Sequence, residues 1–189
     1  MNTIPSIKKV LQDPNMLTLS RIAASPVIVI LLLLPMNRFT MFLAALVFSA
    51  AAITDYFDGF FARKYGQVSN FGKAMDPLAD KFLMSATFIM LTARGLIPGW
   101  MVCLIVAREL GITGMRTLLV EKGADIGASI WGKLKTVFQI AALIPLLLHY
   151  SYFGIDCHAV GSWLLWIAVV LTVVSAVNYF LEASRFLEN

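Results

Sequence analysis

Four aspartates fall within one short stretch of the chain, DYFDGFFARKYGQVSNFGKAMDPLAD, residues 55–80. Asp55 and Asp58 are three apart, and Asp76 and Asp80 are four apart. On a helix each pair lies on one face. A tight turn at 65–69 is expected to bring the two helix ends side by side, so that the four carboxylates converge. Left unpaired they would repel one another and be costly to desolvate. A hard divalent cation removes that cost, because Mg²⁺ and Mn²⁺ prefer carboxylate oxygens. Four carboxylates suffice for two such ions, the arrangement that clamps phosphate oxygens during phosphoryl transfer. Gly59 and Ala62 leave room beside the carboxylates, Gly72 allows close helix approach, and Arg63 offers a fork for a phosphate. A salt-bridge cluster with Lys64, Lys73 and Lys81 would account for one aspartate, but poorly for four at this spacing.

A second group carries the opposite charge. Arg108 and Arg116 lie in one apolar run, and Lys133 and Lys135 open the next. Cations in apolar, helical surroundings mark function by default. Beside a metal site they imply an anionic acceptor, gripped bidentately by Arg and as a point charge by Lys. Lys122 reads as ordinary topological charge.

The elements that position these groups follow from hydropathy. Hydrophobic residues make up 59% of the 189-residue chain, well above a soluble domain's usual share. A span needs about 20 mostly apolar residues. Six such runs are predicted, at 17–35, 39–62, 71–93, 98–120, 131–150 and 160–185. Residues 4–14, with Pro at both ends, predict a short helix lying on the membrane surface. Runs such as 27–34 do not alternate, which excludes a β-barrel. The expected fold is therefore all-α: a single polytopic membrane domain over 1–189, with six transmembrane helices and an N-terminal interfacial helix. With the N-terminus inside, all but Arg38 and Arg94 of the 15 Lys and Arg fall on the cytoplasmic side. Both termini and the aspartates are then cytoplasmic. The basic excess reads as topology and anionic ligand, not nucleic acid. Cys103 and Cys157 give no reason to pair, and Cys103 is expected to pack in a helix interface. His149 and His158 are placed at the outer interface, where Trp100, Trp131, Trp163, Tyr150 and Tyr152 would form an aromatic belt.

The aspartate stretch resembles the signature of the CDP-alcohol phosphatidyltransferases, D-x2-D-G-x2-A-R-x8-G-x3-D-x3-D. Asp55, Asp58, Gly59, Ala62, Arg63, Gly72, Asp76 and Asp80 match every defined position. The resemblance implies transfer of a phosphatidyl group from CDP-diacylglycerol to an alcohol, with release of CMP. It implies that Asp55, Asp58 and Asp76 hold one metal and Asp55, Asp76 and Asp80 the other, with Asp80 as the base. It also implies that Gly59, Arg63 and Ser69 contact the nucleotide, with Ala62 and Gly72 lining the same site. Pro14-Asn15-x-x-Thr18-x-x-Arg21 resembles the family's opening segment, which adds Asn15 and Thr18 to the CDP-diacylglycerol pocket; Asn15 as a helix cap is the competing reading. The segments ARELGITGMR and WGKLKT resemble those of members whose acceptor is sn-glycerol 3-phosphate, held by Arg108, Arg116, Lys133 and Lys135. Serine, inositol phosphate and phosphatidylglycerol stay open as acceptors. A cation transporter is the alternative of another class, although the chain lacks the paired repeats common in transporters. A homodimer in the bacterial cytoplasmic (inner) membrane is the expected state.

Overall fold

The computed structural model describes residues 14–65, 70–121 and 129–187, and for 14–22, 55–65, 70–80, 121, 186 and 187 the backbone alone. The expected interfacial helix, Ser69 and the loop around Lys122 lie outside the described residues. Six helices follow in order among the described residues: α1 (Pro14–Leu33), α2 (Arg38–Tyr65), α3 (Asn70–Ala93), α4 (Gly99–Glu121), α5 (Ile130–Leu148) and α6 (Cys157–Leu187). Each lies within three residues of an apolar run read from the sequence. Of these, α5 and residues 157–185 of α6 are long and apolar enough to cross a membrane.

Helix ends are set by side-chain chemistry. Asn37 caps α2: its Oδ1 accepts from the Thr40 backbone N–H at 2.9 Å, while Thr40 Oγ1 accepts from the Asn37 N–H at 3.2 Å. This reciprocal arrangement satisfies two donors that the first turn leaves free. Ser129 caps α5 by accepting from Gly132 N–H at 3.1 Å, and Asp156 caps α6 by accepting from Ala159 N–H at 3.2 Å. At the other end of α3, Gly95 N–H donates to Thr92 O and Leu96 N–H to Leu91 O. Gly95 sits at φ +72°, the left-handed turn that closes a helix C-terminus.

The chain divides into two compact units, Met1–Met90 and Leu91–Asn189. In the first, α1 packs on α2, with Ile28, Leu32, Met41, Ala44, Ala45 and Phe48 buried. In the second, α6 packs on both α5 and α4. Gly161 of α6 meets Leu146 of α5 so closely that a Cβ there would lie 2.8 Å from the Leu146 backbone nitrogen.

A two-stranded antiparallel hairpin, β1 (Ser151–Tyr152) and β2 (Ile155–Asp156), joins α5 to α6. The expectation of an all-α chain misses it. Phe153 and Gly154 both have positive φ, 52° and 80°, and form the two-residue turn that fits strand twist.

In α6 the buried positions include Ala168, Thr172, Ser175 and Ala183, while Trp163, Val170, Val177 and Phe180 face outward. Leu165, Val169 and Tyr179 are buried there too, so small and hydroxylated residues share the inner face with larger ones, while large apolar residues face outward as on a helix in an apolar solvent. The hydroxyls are satisfied within the helix, as Thr172 Oγ1 donates to Ala168 O at 2.7 Å. Cys103 corrects the expectation made for it: it is exposed, and Cys157 is the buried cysteine.

Candidate active site

The two aspartate pairs are borne on continuous helix, Asp55 and Asp58 on α2, Asp76 and Asp80 on α3. Spacings of three and four on such helices put each pair on one face. Gly59, Ala62 and Arg63 follow on α2, and Gly72 lies in the first turn of α3. Pro77 is accommodated within α3. Asn15 and Thr18 fall on α1, which begins at Pro14, so Asn15 is inside the helix rather than at its cap. The side chains of all these residues, and the turn at 66–69, lie outside the described residues. The donor set itself, four hard carboxylate oxygen ligands on two helices, suits Mg²⁺ or Mn²⁺.

The cationic group is described in full. Arg108 lies midway along α4 with its side chain 12% exposed. Its Nη1 donates to Glu109 Oε1 at 3.3 Å. Lys135, buried on α5, also pairs with Glu109 Oε1. Glu109 thus ties α4 to α5 and commits much of the Lys135 charge. Glu109 stands out in the sequence only as a lone acid beside Arg108 in an apolar run, and its partner on α5 appears only in the fold. Breaking such a buried pair by removing one partner costs about 3–5 kcal/mol, because the other charge stays behind.

Arg108 also reaches the start of α5. Its Nη2 lies 3.9 Å from where a Gly132 Cβ would stand, so the bare backbone of Gly132 leaves room for the guanidinium. Arg116 lies two turns further along α4, within electrostatic reach of Arg108. Arg116 and Lys133 are exposed. Arg108 Nε is buried and has no hydrogen-bond partner among the described residues. Arg108 and Lys135 therefore share one carboxylate, and Arg108 stands beside the N-terminus of α5, whose dipole is also positive. That surplus, with a buried donor unused, fits an anionic ligand.

His149 and His158 stand elsewhere, with ring centroids 5.1 Å apart, at the hairpin that joins α5 to α6. Trp100 packs edge-on against Trp166 at 5.4 Å, and Trp163 is exposed.

The family model for CDP-alcohol phosphatidyltransferases matches residues 11–174. A Bacillus subtilis protein named CDP-diacylglycerol–glycerol-3-phosphate 3-phosphatidyltransferase is 41% identical, over 88% of this chain and 92% of its own length. A Rickettsia typhi protein of the same name is 41% identical, over 88% of this chain and 94% of its own. One from Shigella flexneri, again with that name, is 38% identical, over 91% and 94%.

Proposed function

The chain belongs to the CDP-alcohol phosphatidyltransferase family, and from that premise we propose that it transfers the phosphatidyl group of CDP-diacylglycerol to sn-glycerol 3-phosphate, giving phosphatidylglycerophosphate and CMP. The relatives' shared name supports the acceptor. The observation that supports it in this chain is the buried Arg108 beside the start of α5 with its Nε unused among the described residues; in our reading Arg116 and Lys133 complete a cationic cradle with it. A phosphate monoester is what such a cradle recognises. Lys135 pairs with Glu109 and so sets the charge balance of the site, leaving less of its own charge for the acceptor.

The family is divalent-metal dependent. In our reading Asp55, Asp58, Asp76 and Asp80 would hold two ions, Mg²⁺ or Mn²⁺, which when bound neutralise the phosphate oxygens of CDP-diacylglycerol. Asn15, Thr18, Gly59, Ala62, Arg63, Ser69 and Gly72 hold that donor. Asp80 takes the proton from the acceptor hydroxyl. The hydroxyl oxygen then bonds to the phosphatidyl phosphorus, and the bond from that phosphorus to the CMP oxygen breaks. Arg108, Arg116 and Lys133 fix the acceptor's phosphate so that its hydroxyl meets the phosphorus in line.

The six helices are read as six spans of one domain in the bacterial cytoplasmic membrane, working as a homodimer. The site and both termini face the cytoplasm. The outward-facing apolar residues and the charge asymmetry support this arrangement.

The test is a purified-protein assay of CMP release from CDP-diacylglycerol, with glycerol 3-phosphate, serine, inositol phosphate, phosphatidylglycerol and glycerol as acceptors. Glycerol 3-phosphate should support turnover, EDTA should abolish it, and Mg²⁺ or Mn²⁺ should restore it. Arg108→Ala, Arg116→Ala and Lys133→Ala should each lower kcat/KM for that acceptor by roughly 10- to 100-fold, the worth of one charge-assisted hydrogen bond. The KM for CDP-diacylglycerol should stay near wild type. Turnover with another acceptor only, or equal damage to both substrates, refutes the assignment.

A further inference from the structure

Tyr179 of α6 is 4% exposed, and its hydroxyl has no hydrogen-bond partner among the described residues. Its ring packs with Leu119 and Ala183, and Ile112 and Met115 flank the same cluster. Ile112, Met115 and Leu119 are spaced three and four apart, so they form one face of α4. Arg108 stands one turn before Ile112 on that face. Arg108 Nε is likewise buried and unpartnered among the described residues, on the helix against which Tyr179 packs. Buried polar atoms are nearly always hydrogen-bonded in folded proteins. Two unused groups along one helix contact, one turn of α4 from the residues that flank Tyr179, therefore point to a ligand. The Arg Nε–H can only donate, and the phenol can donate beside it, so the group that satisfies both is an anionic oxygen.

We infer that Tyr179 is a further acceptor-binding residue, its hydroxyl donating to an oxygen of the phosphate that Arg108 holds. This rests on the acceptor site read above and adds to it a neutral donor from a third helix. If the tyrosine served packing alone, a phenylalanine would serve as well, and nothing would select the hydroxyl.

Tyr179→Phe keeps the ring and removes only that oxygen. The purified variant should show a KM for glycerol 3-phosphate raised by roughly 10-fold, the scale of one hydrogen bond to a charged oxygen. Inhibition by inorganic phosphate, competitive with that acceptor, should weaken by a similar factor. The KM for CDP-diacylglycerol and the melting temperature should not fall. Arg108→Lys, measured in parallel, separates two failures. If Arg108→Lys weakens both acceptor and phosphate while Tyr179→Phe leaves both at wild-type values, the tyrosine assignment is overturned and the acceptor site stands. If neither variant moves either constant, the anion site itself is misassigned, and the role of Tyr179 falls with it.

Discussion

Asp80 follows Asp76 by one helical turn on α3, and the family resemblance gives it a task that its three companions do not share. A carboxylate that both touches a cation and accepts a proton must keep its charge until the acceptor arrives. Asp80→Asn keeps the size and loses the basicity. The loss of a general base typically costs about 10²–10⁴ in rate, and the loss of a metal ligand deepens it. Turnover should therefore fall below detection while the variant still binds CDP-diacylglycerol, held through the remaining carboxylates. Single-turnover CMP release together with equilibrium binding of the donor checks both halves; a rate near wild type removes Asp80 as the base. The placement of these carboxylates in pairs on two helices was legible, because apolar runs flank the motif on both sides. Tyr179 was not legible, since one tyrosine in an apolar run carries no signal until α4 and α6 are seen to pack. The Glu109–Lys135 pair was hidden for the same reason: its partners are 26 residues apart and meet only through α4 and α5.

The helices themselves were readable because apolar runs of this length have few alternatives in lipid. Their caps were not: Asn15, the cap residue weighed in the sequence, lies inside α1, while Asn37, Ser129 and Asp156 do the capping. The 151–156 hairpin was not, because two residues per strand give no alternation and its turn places Phe153 at positive φ, uncommon for a bulky residue. Packing adds constraints that no pattern shows. Gly161→Ala would set a Cβ 2.6 Å from Leu146 Cγ and 2.8 Å from its backbone nitrogen. A side chain can yield but the α5 backbone cannot easily do so, and overpacking of this kind costs about 1–3 kcal/mol. The melting temperature in detergent should drop by several degrees, and an unchanged value would show that α5 and α6 can separate freely. The end of α5 carries a pH response. Burial holds the His149 pKa below its ordinary value, and His158 adds to this while Asp156 opposes it. Tyr150 also packs on the His149 ring, at 5.3 Å. As pH falls through about 6.5, the unfolded chain takes its proton first. The stabilisation is thus complete above that pH and is lost as pH falls through the lowered folded value. Melting temperatures should be level at pH 7–8 and decline below about pH 6. His149→Asn, whose side chain tolerates φ +56°, should make that decline shallower than in wild type.

At the scale of the whole molecule the question is which way the helices run. The 31 residues of α6 make a rod about 46 Å long, enough to pass a hydrocarbon core of about 30 Å with both ends in the headgroups. Phe153, fully exposed at the hairpin tip, precedes its start, and exposed Arg185 lies in its last turn. In the proposed topology, favoured by the charge asymmetry, the hairpin lies outside and Arg185 lies inside with the aspartates. A cytoplasmic site is also what the chemistry needs, because glycerol 3-phosphate carries charge that does not cross lipid unaided. The two cysteines are both free, so a background of Cys103→Ala and Cys157→Ser leaves no native thiol. In that background Phe153→Cys should react with a membrane-impermeant maleimide on intact spheroplasts. Arg185→Cys should react only after the membrane is opened. Labelling of both from outside would mean that α6 does not cross the bilayer, and the reverse pattern would put the active site on the wrong side of the membrane for its acceptor.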